Sequence, residues 1–339
     1  MNTASVTIVD RGGAASPHLP AGVGETPLIE IEGVYIKLEC LNPCGSVKDR
    51  IASYIITKAR ETGQLKPGQR IVEATSGNTG IAFAYYGTKM GHPVTIVMPE
   101  HMTEERKQLI RELGADLVLC SEAGSFCEAA AIRDKMATEC GAFNPDQFSN
   151  ELNSECHAKT TACELLRQAN GVQIDAFVAG VGTGGTLVGV GGELKRANAN
   201  CMIYAVEPAE AAVMTGGPNE SHGIYGIGDG FIPALAGDGC DGLHPMIDGV
   251  EVISTEDAKE MARHISANYG ICIGISSGAN FLAAKNLQKK HKTVATVFSD
   301  GHQKYHSAGI NPPSPCRCPF QEPCSQSILE RTLTEIRCR

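Results

Sequence analysis

The fold is organised around one stretch of the sequence, Asn42-Pro43-Cys44-Gly45-Ser46-Val47-Lys48-Asp49-Arg50. This stretch predicts the start of a helix, because Ser46 can cap the first turn and Asp49 can reach back in the manner of a capping box. We expect the helix to run to about Arg60 and to stop near Gly63. Its apolar residues recur at helical spacing and are Val47, Ile51, Tyr54, Ile55 and Ala59.

Lys48 lies on the face of this helix that we expect to be covered. The residues four and seven positions further on are Ala52 and Ile55, and both are apolar. Burial disfavours the charged form of an amine, so a lysine on a covered face loses its proton easily, as Schiff-base chemistry requires. The alternative is a solvated lysine within a Lys-Asp-Arg surface cluster, and the helix alone does not decide between the two.

The bulk composition is that of an ordered globular protein. The chain has 339 residues, of which 42% are hydrophobic, and its formal net charge is −9. This length is enough for two domains that share a large core. A negative charge without a basic stripe disfavours nucleic acid and anionic membranes as partners. No apolar run has the length of a membrane-spanning helix and the N-terminus has no secretory signal pattern, so we expect a cytoplasmic protein.

Cysteine is unusually frequent, with 14 residues. Those between Cys40 and Cys272 often lie inside apolar runs, and we expect them to behave as small buried side chains in a reducing compartment. The remaining ones lie in a Pro- and Cys-rich tail and are Cys316, Cys318, Cys324 and Cys338. Their spacing fits no standard four-ligand zinc site, so we predict no metal site and interpret 310–339 as a C-terminal appendage.

Strand and helix patterns alternate along most of the chain after Thr26. Short apolar runs predict strands at Thr26–Ile31, Val34–Leu38, Arg70–Ala74, Pro93–Met98, Ala115–Cys120, Asp175–Val181, Met202–Val206, 249–253, 271–275 and 293–298. Amphipathic patterns predict helices at Asn78–Met90, Thr103–Leu113, Gly124–Cys140, Ser154–Ala169, Gly184–Ala197, 255–269 and 277–290. Residues 1–24 and 208–247 show little pattern.

This alternation predicts an α/β fold made of two doubly wound domains with parallel sheets. Continuous apolar strands separated by amphipathic helices are typical of parallel sheets that are covered on both faces. There are too many strands for one compact unit, and no eightfold repeat is present. Ligands of such sheets bind beyond the carboxyl ends of the strands, so we expect the site in the cleft between the domains.

Four strand-to-helix loops are rich in glycine and hydroxyl groups. Thr75-Ser76-Gly77-Asn78-Thr79 is typical of a carboxylate-binding nest, and the alternative is a well-capped tight turn. Gly180–Thr186 is typical of a phosphate-binding loop. Its Gly180, Gly182 and Gly185 also match the dinucleotide fingerprint, with Glu207 ending the next strand, so a nicotinamide enzyme is a competing interpretation. The others are Gly274–Ala279, in which a serine can cap a helix, and 299–302, in which we expect His302 to be solvated.

Five motifs taken together resemble one family. They are Lys37-x-Glu39-x-x-Asn42-Pro43-x-Gly45-Ser46-Val47-Lys48-Asp49-Arg50, Thr75–Gly80, Gly182–Thr186, Gly226–Pro233 and Ser276–Ala279. In this order they resemble the cysteine synthase (O-acetylserine sulfhydrylase) and cystathionine β-synthase family, whose members have the tryptophan-synthase-β fold (fold type II) and use pyridoxal phosphate. The resemblance runs from about Thr26 to Ser307. It gives a role to Lys48 and to all of these loops, whereas the nicotinamide interpretation explains only the Gly180–Thr186 loop.

The resemblance implies a role for each motif. Lys48 would carry the cofactor as an internal aldimine and shuttle the α-proton. Asn78 would face the 3′-oxygen of the cofactor, and Ser276, or Ser277 beside it, its pyridine nitrogen. The 5′-phosphate would be held by Gly182, Thr183, Gly184, Gly185 and Thr186. The substrate carboxylate would be held by Thr75, Ser76, Gly77, Thr79 and Gln147. The implied domains are 42–152, with the carboxylate loop, and 12–41 plus 153–309, which binds the cofactor.

The implied reaction is β-replacement, most simply O-acetyl-L-serine plus sulfide to L-cysteine plus acetate through an aminoacrylate intermediate. A phosphate leaving group would require an arginine fork, whereas the Gly226–Pro233 loop carries Asp229 and no Arg or Lys. The alternatives are another donor or nucleophile (cystathionine β-synthase-like, O-phosphoserine-dependent or with an amine acceptor), or a weakly catalytic paralogue that senses or binds a partner. The resemblance further implies a homodimer and serine acetyltransferase as a possible partner.

Overall fold

The computed structural model of the chain describes residues 5–13, 16–75, 77–121, 125–239, 242–311 and 319–320. Its strands are β1 (Thr7–Asp10), β2 (Leu28–Ile31), β3 (Val34–Lys37), β4 (Ile71–Ala74), β5 (Val94–Pro99), β6 (Asp116–Cys120), β7 (Ala176–Gly180), β8 (Met202–Pro208), β9 (Gly249–Ile253) and β10 (Val294–Val297). Its α-helices are α1 (Lys48–Glu61), α2 (Asn78–Lys89), α3 (Glu104–Glu112), α4 (Ser125–Cys140), α5 (Glu151–His157), α6 (Cys163–Gln168), α7 (Gly185–Ala197), α8 (Thr255–Tyr269) and α9 (Ile275–Leu287).

The described strands form two sheets, which confirms the predicted α/β fold. The larger sheet has the order β1-β2-β3-β10-β7-β8-β9, and the smaller sheet has the order β4-β5-β6. In the larger sheet, the neighbouring strands along the part β3-β10-β7-β8-β9 are all parallel, and so are those of the smaller sheet. Every residue of β4, β5 and β10 is buried, as expected for strands that helices cover on both faces.

The sequence missed one strand and predicted another that does not form. Strand β1 lies in the N-terminal segment that showed no pattern, and it joins β2 in an antiparallel edge. The run 271–275 is not a strand, because only Ile273 makes a single bridge, to Gly301, and α9 already begins at Ile275. The run is nevertheless buried. A short apolar run in the core has the same pattern whether or not it pairs with a sheet.

The helix that contains Lys48 begins one residue later than its sequence signature suggests. Its N-cap position is occupied by Val47, and no side chain caps it there. The Ser46 hydroxyl accepts a hydrogen bond from the Lys48 amide at 3.3 Å. The carboxylate of Asp49 reaches back to the amides of Ser46 and Cys44, at 3.3 and 2.7 Å. The predicted contact from Asp49 is therefore confirmed, whereas the cap itself is shifted.

Helices α5 and α6 form one continuous helical segment that contains a π-turn. The residues of this turn are Ala158–Ala162, and the last residue of α5, His157, is fully buried beside it. A π-turn inserts an extra residue into a helix and often occurs near functional sites. It places Glu164, in the first turn of α6, against α1 and β3.

A buried network of charges fixes α1 against the larger sheet. Arg50 forms two-pronged hydrogen bonds with Glu39, at 2.6 and 2.8 Å, and with Glu164, at 2.6 and 2.7 Å. Lys37 on β3 pairs with Glu164 at 2.7 Å. All four side chains are at most 3% exposed. Burial raises the pKa of Glu164, but the charges and hydrogen bonds of Arg50 and Lys37 outweigh it and lower this pKa to about 2.

We propose that the two sheets belong to domains with the predicted boundaries. Strands β4 to β6 fall within 42–152, and the strands of the larger sheet, apart from β1, fall within 12–41 and 153–309. Of the predicted appendage, Ile310 and Phe320 are buried in the core of the larger sheet. The tail cysteines Cys316, Cys318, Cys324 and Cys338 lie outside the described residues.

Replacing Arg50 by Met is expected to destabilise the protein by about 3 kcal/mol or more at pH 7, because two buried carboxylates lose their partner. The lowered pKa of Glu164 means that the wild-type stabilisation is complete above pH 4.5 and is lost as the pH falls toward 2. The deficit of the variant should therefore shrink in acid. Thermal denaturation at pH 7 and near pH 3 measures both effects.

The matched control for this variant is Lys58→Met on the same helix. Lys58 forms an exposed pair with Glu61, at 2.7 Å. Such pairs contribute at most about 1 kcal/mol, so this variant should remain near wild type. Equal losses in the two variants would contradict the assignment of the stability to the buried network.

Candidate active site

The predicted loops meet in one cleft between the two sheets. The carboxyl ends of β4, β7 and β10 all open into it, as expected for parallel sheets. Of the predicted site residues, those that line the cleft are Lys48, Thr75, Gly77, Asn78, Thr79, Gln147, Gly182, Thr183, Gly184, Thr186 and Ser276. Gly185 lies directly behind the lining, at the first position of α7. Ser76 lies outside the described residues.

Lys48 projects into this cleft from the first turn of α1. Burial lowers the pKa of its amine to about 8, while the charges of Asp229 and Asp300 oppose part of that shift. The alternative of a solvated surface cluster is wrong, because the next two residues, Asp49 and Arg50, are fully buried. The fraction of the amine that is neutral, and able to act as a nucleophile or base near physiological pH, is therefore much larger than for an ordinary lysine.

Three of the helices that begin at the cleft have a glycine at the N-cap position. These glycines are Gly77 before α2, Gly184 before α7 and Gly274 before α9, and they carry no side chain that could cap the helix, whereas α8, which does not line the cleft, is capped by Ser254. Free amide groups and the positive end of the helix dipole favour bound anions at such positions.

The glycines before α7 are required by close backbone packing. Gly184 has a φ of 85°, the left-handed region that favours glycine. A Cβ atom on Gly182 would overlap the carbonyl oxygen of Gly226, and one on Gly185 would overlap the side-chain amide of Asn153. The Nδ2 atom of that side chain donates to the Thr183 hydroxyl at 3.0 Å and to the backbone carbonyl of Gln147 at 2.8 Å. The loop is thereby held as a narrow turn whose residues border the cleft.

On the opposite wall, the loop after β4 is preorganised by neutral hydrogen bonds. The Thr79 hydroxyl donates to Gln147 Oε1 at 2.6 Å, and the Gly77 amide donates to the Thr75 hydroxyl at 3.1 Å. Thr75, Thr79 and Gln147 are each 3% exposed. The loop therefore presents hydroxyl, amide and backbone N–H groups, but no charge of its own.

Asn78 is tied to the larger sheet through Asp300, a residue that we did not predict for the site. Asn78 Nδ2 donates to Asp300 Oδ2 at 2.8 Å, and the Tyr305 hydroxyl donates to the same oxygen at 2.6 Å. Asn78 Oδ1 and Asp300 Oδ1 are buried without a hydrogen-bond partner. Buried orphan oxygens at a cleft wall are typical of positions that a bound group completes. The position of Asp300 directly after β10 could have identified it.

The third and fourth loops differ from each other in how they use their polar residues. Ser276 lines the cleft, whereas the Ser277 hydroxyl donates to the backbone carbonyl of Asp300 at 3.4 Å. The prediction that His302 is solvated is wrong. Its side chain is 1% exposed, and burial lowers its pKa to about 4. The chain turns inward after β10 and His302 packs edge-on against His306, which a loop pattern does not reveal.

Asp229 of the Gly226–Pro233 motif lies in the cleft near Lys48, and burial raises the pKa of its carboxyl group. Other residues of the cleft belong to none of the motifs. The rings of Phe126 and Phe148 lie 4.7 Å apart at the wall and contact Phe231. Arg106 enters from α3, where the surrounding Glu-Glu-Arg-Lys sequence resembles a solvated helix face. Only the tertiary structure reveals these contributions.

The class of enzyme follows from a family comparison. The model of the family described as "Pyridoxal-phosphate dependent enzyme" matches residues 19–300, so the chain belongs to this family. This confirms the resemblance and the cofactor, and it does not support the nicotinamide alternative.

The more particular similarity is to cysteine synthases. The chain is 42% identical to the cysteine synthase of Staphylococcus aureus (strain Mu50 / ATCC 700699) over 299 residues, which is 85% of this chain and 94% of the relative. Its fold matches a hydrogen sulfide-producing enzyme from Fusobacterium nucleatum (TM-score 0.77, 38% identity, 91% of this chain and 88% of the other). It also matches a cysteine synthase from Entamoeba histolytica (TM-score 0.76, 32% identity, 98% and 94%). The chain is a homologue of cysteine synthase.

The residues of the cleft fit pyridoxal phosphate. A lysine amine with a pKa of about 8 suits its aldehyde, the uncapped turn before α7 suits its phosphate, and the orphan oxygen of Asn78 marks a wall that a ring can complete.

In the parts of the chain that the structure covers, no helix is both long and apolar enough to cross a membrane. The same parts contain no cluster of three potential metal ligands.

Replacing Gly182 by Ala is expected to weaken cofactor binding at least ~10-fold, because the new methyl group displaces the loop from the carbonyl of Gly226. Equilibrium dialysis against pyridoxal phosphate measures the dissociation constant. Gly192→Ala on α7, the helix that follows this turn, is the control, since its Cβ would make only an ordinary contact with Met246 at 3.9 Å. Unchanged affinity in Gly182→Ala would show that the turn does not hold the phosphate.

Proposed function

We propose that the chain is a β-replacement enzyme that converts O-acetyl-L-serine and sulfide into L-cysteine and acetate. The observation that carries the proposal is the lowered pKa of the Lys48 amine. This amine shares one cleft with a glycine turn suited to a bound anion and with a polar loop suited to an amino-acid carboxylate. The similarity to enzymes named cysteine synthase supports this choice of substrates.

In the proposed site, the cofactor is held by residues from both sheets. Lys48 binds its aldehyde carbon, Asn78 faces its 3′-oxygen and Ser276 faces its pyridine nitrogen. The residues that hold its phosphate are Gly182, Thr183, Gly184, Gly185 and Thr186. When bound, the cofactor supplies the electron sink that weakens the bonds at the substrate α-carbon.

The substrate is oriented by the loop after β4. We propose that its carboxylate binds at the uncapped N-terminus of α2, where the candidates are Thr75, Ser76, Gly77, Thr79 and Gln147. Lys48, once displaced as a neutral amine, lies in the cleft and removes the α-proton. Acetate then leaves from the β-carbon, and sulfide adds to that same carbon. Burial of the cleft keeps water away from the β-carbon, so that sulfide rather than water adds there.

The proposed donor carries an acetyl ester and not a phosphate. Asp229 of the Gly226–Pro233 loop lies in the cleft, and its charge, when ionised, would repel a dianionic leaving group. The finer proposals are a homodimer and serine acetyltransferase as a partner, which rest on the family likeness alone, and a cytoplasmic location, which rests on the sequence pattern.

Purified protein loaded with pyridoxal phosphate is expected to form cysteine from O-acetylserine and sulfide, with a kcat/KM for O-phosphoserine that is at least ~10-fold lower. Borohydride reduction should attach the cofactor to Lys48, and Lys48→Ala should abolish both attachment and turnover. Mass spectrometry locates the label and a cysteine assay follows the reaction. Faster turnover of O-phosphoserine would contradict the proposed donor, and labelling of another lysine would contradict the role of Lys48.

The rate at which pyridoxal phosphate attaches to the apo-protein should rise with pH through a midpoint of about 8, since only the neutral amine of Lys48 attacks the aldehyde. Asp229 raises the pKa of Lys48, so Asp229→Asn should move this midpoint to lower pH. Borohydride trapping at successive times gives the rates. A midpoint near 10.5, as for a free lysine, would show that the amine is solvated.

A further inference from the structure

Arg106 is a buried cation without an anionic partner at the wall of the cleft. It lies in the first turn of α3 and is 2% exposed. One terminal nitrogen donates to the Thr103 hydroxyl at 3.2 Å, and the Nε atom has no hydrogen-bond partner in the described part of the chain. Among the described residues no carboxylate lies within 4.0 Å of this guanidinium.

Two aromatic rings hold this guanidinium in place. Its central carbon lies 4.9 Å from the ring centroid of Tyr225 and 4.9 Å from that of Tyr305. The faces of the rings attract the cation and fix its orientation. They do not neutralise its charge, and Asp300, whose Oδ2 atom accepts hydrogen bonds from Asn78 and from Tyr305, makes no ion pair with it.

The unpartnered Nε atom faces the start of α2. A Cβ atom built on Gly77, the N-cap residue of α2, would lie 2.6 Å from Nε of Arg106. The N-cap residue itself has no side chain, so the positive end of this helix and the guanidinium lie next to each other at Gly77. Two positive groups that meet in a buried place are stabilised by an anion that contacts both of them.

We propose that Arg106 provides the positive charge that selects the α-carboxylate of the amino-acid substrate. This proposal rests on the proposed function, in which the loop after β4 binds that carboxylate. The described groups of the loop are neutral, as are Gln147 and the backbone amides, so none of them distinguishes a carboxylate from an amide by charge. Arg106 is therefore a specificity-determining residue, and a substrate whose carboxylate is blocked as an amide gains nothing from it.

The test compares L-alanine with L-alaninamide as ligands of the cofactor-loaded protein. Neither can lose a β-substituent, so binding is measured without turnover, by the absorbance change of the bound cofactor. Arg106→Met should weaken L-alanine binding by at least ~10-fold and leave L-alaninamide within ~2-fold, because a charged partner strengthens a hydrogen bond. Arg106→Lys, which keeps the charge, should recover part of the loss. Arg111→Met, an exposed change on the same helix, is the control and should change neither affinity.

Other outcomes overturn the proposal in distinguishable ways. Equal weakening of both ligands, or loss of cofactor in Arg106→Met and Arg106→Lys alike, would give Arg106 a purely structural role. Unchanged binding of L-alanine with an altered KM for O-phosphoserine or for an anionic nucleophile would assign the guanidinium to the leaving group or the acceptor. The ligand comparison does not require cysteine formation. Failure of the wild type to convert O-acetylserine would therefore overturn the proposed reaction and leave the role of Arg106 to be judged from binding alone.

Discussion

The position of Lys48 depends on a guanidinium two residues further along the chain. Arg50 is clamped between Glu39 and Glu164 by four short hydrogen bonds, and Lys37 balances the second carboxylate. Such a fully buried set of charges tolerates only one alignment of its partners, because any shift leaves an uncompensated charge in the core. The first turn of α1 is thereby fixed in rotation and translation, and the lysine at its start points into the cleft.

The electrostatics of the cleft depend on helix N-termini without side-chain caps. The N-cap residues of α2, α7 and α9 are glycines, and the space in front of these helices is lined by hydroxyl and amide groups. Lys48 and Arg106 add cationic character, whereas Asp229 and Asp300 keep the lysine pKa from falling further. The result is a cleft with separate anion-binding points around one amine, a distribution suited to a ligand that carries a phosphate and a carboxylate.

The sequence predicted those parts of the site that depend on local patterns. The alternation of strands and helices, the glycine turn before α7 and the inward face of Lys48 are all encoded by nearby residues. Asp300 lies in the loop after β10, and that position could have identified it. Arg106 could not be predicted in the same way, because it reaches the cleft through the packing of α3. His302 failed for the same reason, since a short polar segment is buried only when its neighbours in space cover it.

The π-turn at Ala158–Ala162 makes the side-chain directions of the residues after it depend on the number of residues in the turn. Each residue of an α-helix advances the side-chain direction by about 100°, so an inserted residue rotates everything that follows it. Glu164 comes directly after this turn and meets Arg50, while His157 before it meets Thr186 of α7 at 3.2 Å. Removing a single residue here would turn Glu164 away from the core while every contacting side chain remained present. The number of residues between α5 and α6 thus sets the orientation of Glu164, which fixes the helix of the proposed catalytic lysine, relative to His157, which contacts the helix that follows the proposed phosphate-binding turn.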